Sequence, residues 1–350
     1  MDQRSKNCIS SGPLCSPKGG ILSFKTWRGR GTNYNCVQQS LIHSAIPMFD
    51  KINWFQVILY FSLGFLTYNL YKADYLYVPV IYSISKFCLS IISLFIGMVV
   101  MSNNWRTIIN NYTEYRLSLH SSISANGLSI FTKYIPGKVM TILGRSIYTS
   151  MLIDLSKKES TILSFKTQII MIWVGLLFGL PFLFLTFSIS FFVVTLTYIA
   201  VTILFSVSIF SKKLHVLIAK IVKKVLNKNL DIPVLEFRST LDVLPNFFLT
   251  WLLWSISFWL LASSLVDYSL PLIIGLSFPF AAVVGIVAII SPGGLGVREG
   301  ILVLALSQFT EAQADAVTIA TISRLWFLCG EIFLFVLAII TNHWIKNVKG

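Results

Sequence analysis

Residues 270–290 read LPLIIGLSFPFAAVVGIVAII, and residues 291–300 continue SPGGLGVREG. The first stretch is 21 residues without a charge. At 1.5 Å per residue it is long enough to cross the roughly 30 Å hydrocarbon core of a bilayer. The second stretch breaks it. Pro292, Gly293, Gly294 and Gly296 cannot sustain a helix, and Arg298 and Glu299 follow at once. Comparable apolar runs occupy 54–71, 76–101, 168–188, 191–210, 243–265 and 319–341, while 296–309 is shorter and carries charge near its start. The region 117–150 is semi-apolar and is broken by Pro136-Gly137. The pattern predicts an all-α, polytopic integral membrane protein. It has about eight transmembrane helices, plus one re-entrant or interfacial element at 117–150.

Composition agrees. Of 350 residues, 55% are hydrophobic and 12% charged, against about 25% charged in soluble domains. This excludes an ordinary cytosolic enzyme, a disordered chain and a fibrous protein. The net charge of +14 comes from 28 Lys+Arg against 14 Asp+Glu. Seven of the basic residues lie in 1–52 and seven in 211–240, without interleaved aromatics or a nucleic-acid-binding motif. No nucleic-acid partner is expected.

Laid along the chain, the charge reports topology. The connections 1–52, 102–116, 151–167, 211–240 and 342–350 hold nearly all the loop Lys/Arg, and the opposite connections hold only Lys72. Positive loops face the cytosol, so both termini are expected there, provided 117–150 enters and leaves on one side. Residues 1–50 are polar and read as a disordered tail, and 51–345 as the transmembrane domain. Within 211–229, Leu214, Leu217, Ile218, Ile221, Val222 and Val225 share one helical face, with Lys213, Lys220 and Lys224 opposite. This is a basic amphipathic helix suited to an anionic membrane surface, or else a solvated linker.

Enzyme signatures are missing: there is no G-x-S-x-G, P-loop or H-E-x-x-H run. The four histidines are scattered, and the cysteines match no zinc spacing. Neither a metal nor a cofactor is expected. Charges within apolar spans are costly and mark function by default. They are Lys86, Arg145, Arg298, Glu299, Arg324 and Glu331. Lys86 suggests no specific role.

Two segments share a design. In Lys133-Tyr134-Ile135-Pro136-Gly137-Lys138, running on to Gly144-Arg145, and again in 291–300, Pro-Gly interrupts an apolar run and cations follow. A helix restarting after such a break presents free N–H groups and its positive dipole end, a ready phosphate site. Lys138, Arg145 and Arg298 are therefore the expected lipid-phosphate ligands. Glu299, Arg324 and Glu331 are expected to shape the cavity or to form a buried ion-pair network. Arg324 and Glu331 are seven apart, hence on one helical face. Broken helices at matching positions are also the pattern of alternating-access transporters, while ordinary kinked loops are the plainer alternative. Gly175-x-x-x-Gly179 marks a helix-packing face.

These motifs resemble the flippase-like family, that of the transmembrane domain of lysylphosphatidylglycerol synthase. The resemblance rests on 133–138 with Gly144-Arg145, on 291–300 and on Ser323-Arg324-Leu325-Trp326, with Asn104-Trp105-Arg106 after the second span. It covers about 50–345. It implies a bacterial or archaeal inner-membrane protein that binds or moves an anionic phospholipid or a polyprenyl-phosphate glycolipid for the cell envelope. The aminoacyl-transfer domain of the family's synthase members is not expected, and the acid that members carry near Thr167-Gln168 is missing. Three functions stay open. The favoured one is a lipid-binding or lipid-translocating transporter, not an enzyme. The second is a membrane glycosyltransferase using Asp267, Glu311 or Asp315. The third is a scaffold for envelope synthesis. A homodimer or envelope-synthesis partners fit any of them.

Overall fold

The computed structural model describes residues 79–134, 140–186, 192–210, 237–287 and 296–349. The N-terminal tail, the expected span at 54–71, residues 211–236 of the basic stretch, and Pro136, Gly137, Lys138, Pro292, Gly293 and Gly294 lie outside them. The described residues form nine α-helices and no strand. Helix α1 (Ile84–Tyr112) and helix α6 (Phe237–Ala262) pair antiparallel. Three bonds set their register. The Tyr82 N–H donates to the Ser264 carbonyl at 2.9 Å, Asn104 Nδ2 donates to Thr250 Oγ1 at 3.0 Å, and the Tyr112 and Thr240 hydroxyls meet at 3.2 Å. The pair defines two faces of the bundle: a near face at Tyr112 and Thr240, and a far face at Tyr82 and Ser264.

Helix α4 (Lys157–Leu185) starts on the near face, where Lys166 Nζ lies 4.4 Å from the Tyr112 ring centroid. Its first turn is capped by Ser156 Oγ, which accepts from the Glu159 N–H at 3.2 Å. Helix α5 (Phe192–Phe210) runs back along it. Tyr198 donates to the Leu176 carbonyl at 3.1 Å, and Trp173 Nε1 donates to Ser206 at 2.9 Å. Helix α9 (Gln313–Lys349) crosses from the far face to the near face, where Thr341 meets the Ser124 hydroxyl at 2.8 Å. The Gly175/Gly179 face does pack helices. Trp251 and Val283 fill the space beside Gly175, and Tyr198 and Phe280 that beside Gly179.

Between α1 and α4 the chain makes a hairpin from the near face. It consists of α2 (Leu119–Ser129), a 3-10 turn (Ile130–Tyr134) and α3 (Met140–Leu152). Thr132 bonds Thr141 at 3.2 Å, and Arg145 bonds Asn126 at 3.2 Å, so the arms are antiparallel. Region 117–150 therefore enters and leaves on one side, as the charge pattern requires.

A second hairpin enters from the far face. A 3-10 turn (Leu272–Leu276) and α7 (Ser277–Val287) lead inward, and α8 (Val297–Leu306) returns. Phe280 at its entry and Phe309 at its exit both pack on Phe182, at ring separations of 6.0 and 6.2 Å. This corrects two expected spans: 270–290 and 296–309 fold back on each other instead of crossing. With 10 residues, α8 is only about 15 Å long, half the hydrocarbon thickness. Pro271 and Pro279 confine where a helix can begin. Gly275 lies so close to α6 that a Cβ would sit 2.5 Å from the Ser255 carbonyl oxygen. Because both spans are lost together, every later loop keeps its side.

Four described helices are long and apolar enough to cross a membrane: α1, α4, α6 over Ser239–Ala262, and α9 over Gln313–Ile345. Helix α1 also runs further than its apolar run. Asn104-Trp105-Arg106 lies within it, because Asn104 and Trp105 find partners in Thr250 and Thr149.

Candidate functional site

The two hairpins approach α9 from opposite faces, and their charged residues meet midway along it. From the first hairpin, Lys133 Nζ forms an ion pair with Glu331. From the second, Arg298 Nη2 donates to the Ser323 carbonyl and hydroxyl, both at 3.3 Å. Arg324 Nη1 stands 3.8 Å from Glu299 Oε1. Arg298, Glu299, Arg324 and Glu331 are all buried, Glu331 to 1% exposure.

The local sequence explains the placement. Gly296 takes φ 82°, a conformation open to glycine, and starts α8 abruptly. The Glu299 carboxylate accepts from the Gly296 N–H at 2.8 Å and so caps the helix it belongs to. That cap turns Glu299 toward Arg324, and Arg298 toward the aromatic rings of α7 and α9. The Arg298 guanidinium lies 4.8 Å from the Phe278 centroid and 5.3 Å from that of Phe327, while Lys133 Nζ lies 5.3 Å from the same Phe327 ring. Aromatic faces hold cations where water cannot. Trp254, Phe258 and Trp326 extend this wall.

Among the described residues the cluster holds three cations, Lys133, Arg298 and Arg324, and two carboxylates, Glu299 and Glu331, an excess of one positive charge. Charge in a low-dielectric interior is costly, and a cluster in which described cations outnumber described acids favours an anion over a cation beside it. The chemistry suits a phosphate: guanidinium and ammonium donors beside aromatic rings.

Arg298, Glu299, Arg324 and Glu331 are thus brought together. Arg145 is engaged elsewhere. It donates to Ser164 Oγ at 3.0 Å, to the Ser164 carbonyl at 2.8 Å and to Asn126 at 3.2 Å, and its guanidinium lies 4.7 Å from the Trp105 centroid. It ties α1, α2, α3 and α4 together. Lys138, Pro136, Gly137, Pro292, Gly293 and Gly294 lie outside the described residues. Lys133 is the member that sequence reasoning passed over, although it stands three residues before Pro136 in the same motif. Asp267, Glu311 and Asp315 lie on the far face. There Tyr268 donates to Asp315 at 2.9 Å and accepts from the Glu311 N–H at 3.1 Å. Burial, with Asp315 beside it, pushes the Tyr268 phenol up to about 12, so it remains a donor.

These features define a class: a multi-pass membrane protein with two opposed re-entrant hairpins closing on a buried, net-cationic cluster. The chain belongs to the lysylphosphatidylglycerol synthase transmembrane-region family, whose model matches residues 54–336. It is a membrane protein of a family tied to lipid handling or synthesis. No curated protein and no solved structure matches it.

Proposed function

We propose that this protein binds the phosphate of an anionic phospholipid or a polyprenyl-phosphate glycolipid at the central cluster and moves it between leaflets. It acts without covalent chemistry. The observation that carries the reading is the meeting of two hairpins from opposite faces at buried cations midway along α9. Non-helical backbone and charge at membrane depth are tolerated where they line a cavity. The described arms of each hairpin start from one face, so opening the first would expose the cluster to the near face, and opening the second to the far face. The bias of Lys/Arg toward alternate connections in the sequence supports a cytosolic near face in an inner membrane, with both termini on that side.

Lipid extracted with the purified protein tests the binding step. Mass spectrometry should find an anionic lipid near stoichiometric amounts with wild type and several-fold less with Arg298→Ala, at equal protein recovery. Equal anionic lipid in both would reject the cluster as its binding site.

A further inference from the structure

The second hairpin is anchored unequally at its two ends. Its entry is tied down. Trp259 Nε1 donates to the Leu270 carbonyl at 3.0 Å, the Tyr82 N–H donates to the Ser264 carbonyl at 2.9 Å, and Gly275 lies against the Ser255 carbonyl. Its exit is held otherwise. The N–H groups of Ser307, Phe309 and Thr310 turn back to the Val303 and Leu306 carbonyls, and that of Asp315 to the Ala312 carbonyl. Among the described residues, the hydrogen bonds that tie 307–315 to any element other than α8 and α9 meet at one atom, Tyr268 Oη. It donates to Asp315 Oδ2 at 2.9 Å and accepts from the Glu311 N–H at 3.1 Å. Tyr268 precedes the hairpin, and Glu311 and Asp315 follow it. One phenol therefore pins the two ends of the hairpin together on the far face.

We infer that Tyr268 is the latch of a far-face gate. While its two bonds hold, the exit of α8 stays against the loop after α6, and the cluster is shut on that side. When both break, α8 is free to move with Arg298 and Glu299, which its first turn carries. The latch acts on the step that the proposed function requires, far-face opening of the second hairpin, and rests on that reading. Its chemistry suits reversible opening. The bond from phenol to carboxylate is charge-assisted, hence strong for a single contact. Tyr268 and Asp315 are half-buried and Glu311 is exposed, so water takes up all three groups on release and no polar atom is stranded. Asp315 stands nine residues before Arg324 on α9, a rise of about 14 Å, so the latch does not touch the cluster it guards.

Hydrogen–deuterium exchange of the full chain in nanodiscs, read by mass spectrometry, tests the latch. Tyr268→Phe keeps the ring and removes both bonds. It should speed amide exchange across α8 by about tenfold or more, the scale of losing a hydrogen bond to a charged group. Asp315→Ala should speed it several-fold. Added to Tyr268→Phe it should have no further effect, because the two residues share one bond. Asp315→Asn retains an acceptor and should fall close to wild type. Exchange in α2 and α3 should be unchanged in every variant, whereas a tyrosine that serves stability alone would speed exchange in all helices together. The measurement needs no lipid substrate, so it separates the latch from lipid binding at the cluster. Three results would overturn the latch and leave the binding step to its own test: equal α8 exchange in wild type and Tyr268→Phe, a rise spread over every helix, or additive effects of Tyr268→Phe and Asp315→Ala.

Discussion

Glu331→Ala should be among the most damaging single substitutions in this protein. Glu331 is 1% exposed and pairs with Lys133, with Arg324 and Arg298 also in the cluster. Removing its carboxylate would leave the half-buried Lys133 and the buried Arg298 and Arg324 with Glu299 as the one described acid of the cluster. Breaking a buried pair by deleting one partner costs about 3–5 kcal/mol, because the surviving charge keeps its desolvation penalty. Thermal unfolding in detergent should show a large drop, with poor recovery from the membrane. Lys133→Met combined with Glu331→Leu removes both charges and should regain most of that stability. A double variant as unstable as Glu331→Ala would show that the pair's electrostatics are not what holds the hairpin.

The second large effect is steric. Gly127, in α2, lies against α9 so closely that a Cβ would sit 2.5 Å from both the Leu334 carbonyl oxygen and the Ala338 Cβ. Backbone and Cβ atoms of a packed helix have no rotamer with which to yield. Gly127→Val should therefore push the first hairpin off α9. The cost is expected at about 3 kcal/mol or more, at or above the upper end for overpacking. The Lys133–Glu331 pair would be lost with it. Gly300→Ala is the control, since no described residue lies within 4 Å of a Cβ there. It should be neutral or slightly stabilising, alanine being the better helix former. Equal unfolding temperatures for wild type and Gly127→Val would contradict the close approach of α2 and α9.

Much of this arrangement was legible in the chain. The second Pro-Gly break pointed to Arg298 and Glu299, and the seven-residue spacing of charges in the last span to Arg324 and Glu331. Near-face re-entry at 117–150 followed from keeping Lys/Arg on one side. The second hairpin was hidden by its own composition. Residues 270–290 are apolar enough to face lipid, yet Phe278, Phe280, Ala281 and Val283 are buried against other helices. Hydropathy does not distinguish a protein-facing apolar residue from a lipid-facing one. Arg145 shows the same limit for polar pairs. Its spacing from Lys138 suggested a shared phosphate, but Ser164 and Asn126, on two other helices, take its guanidinium. Lys133 was passed over because its partner lies 198 residues away.

In the proposed function, charges on two opposed hairpins carry a lipid phosphate across the membrane. Leaflet exchange of fluorescent phosphatidylglycerol in sealed proteoliposomes tests it most directly, with phosphatidylcholine as the comparison lipid. Wild type should accelerate exchange of the anionic lipid well above protein-free vesicles, and folded Arg298→Ala should fall to near the protein-free rate. Exchange that is no faster than in empty vesicles, or that is equal for wild type and Arg298→Ala, would contradict the account.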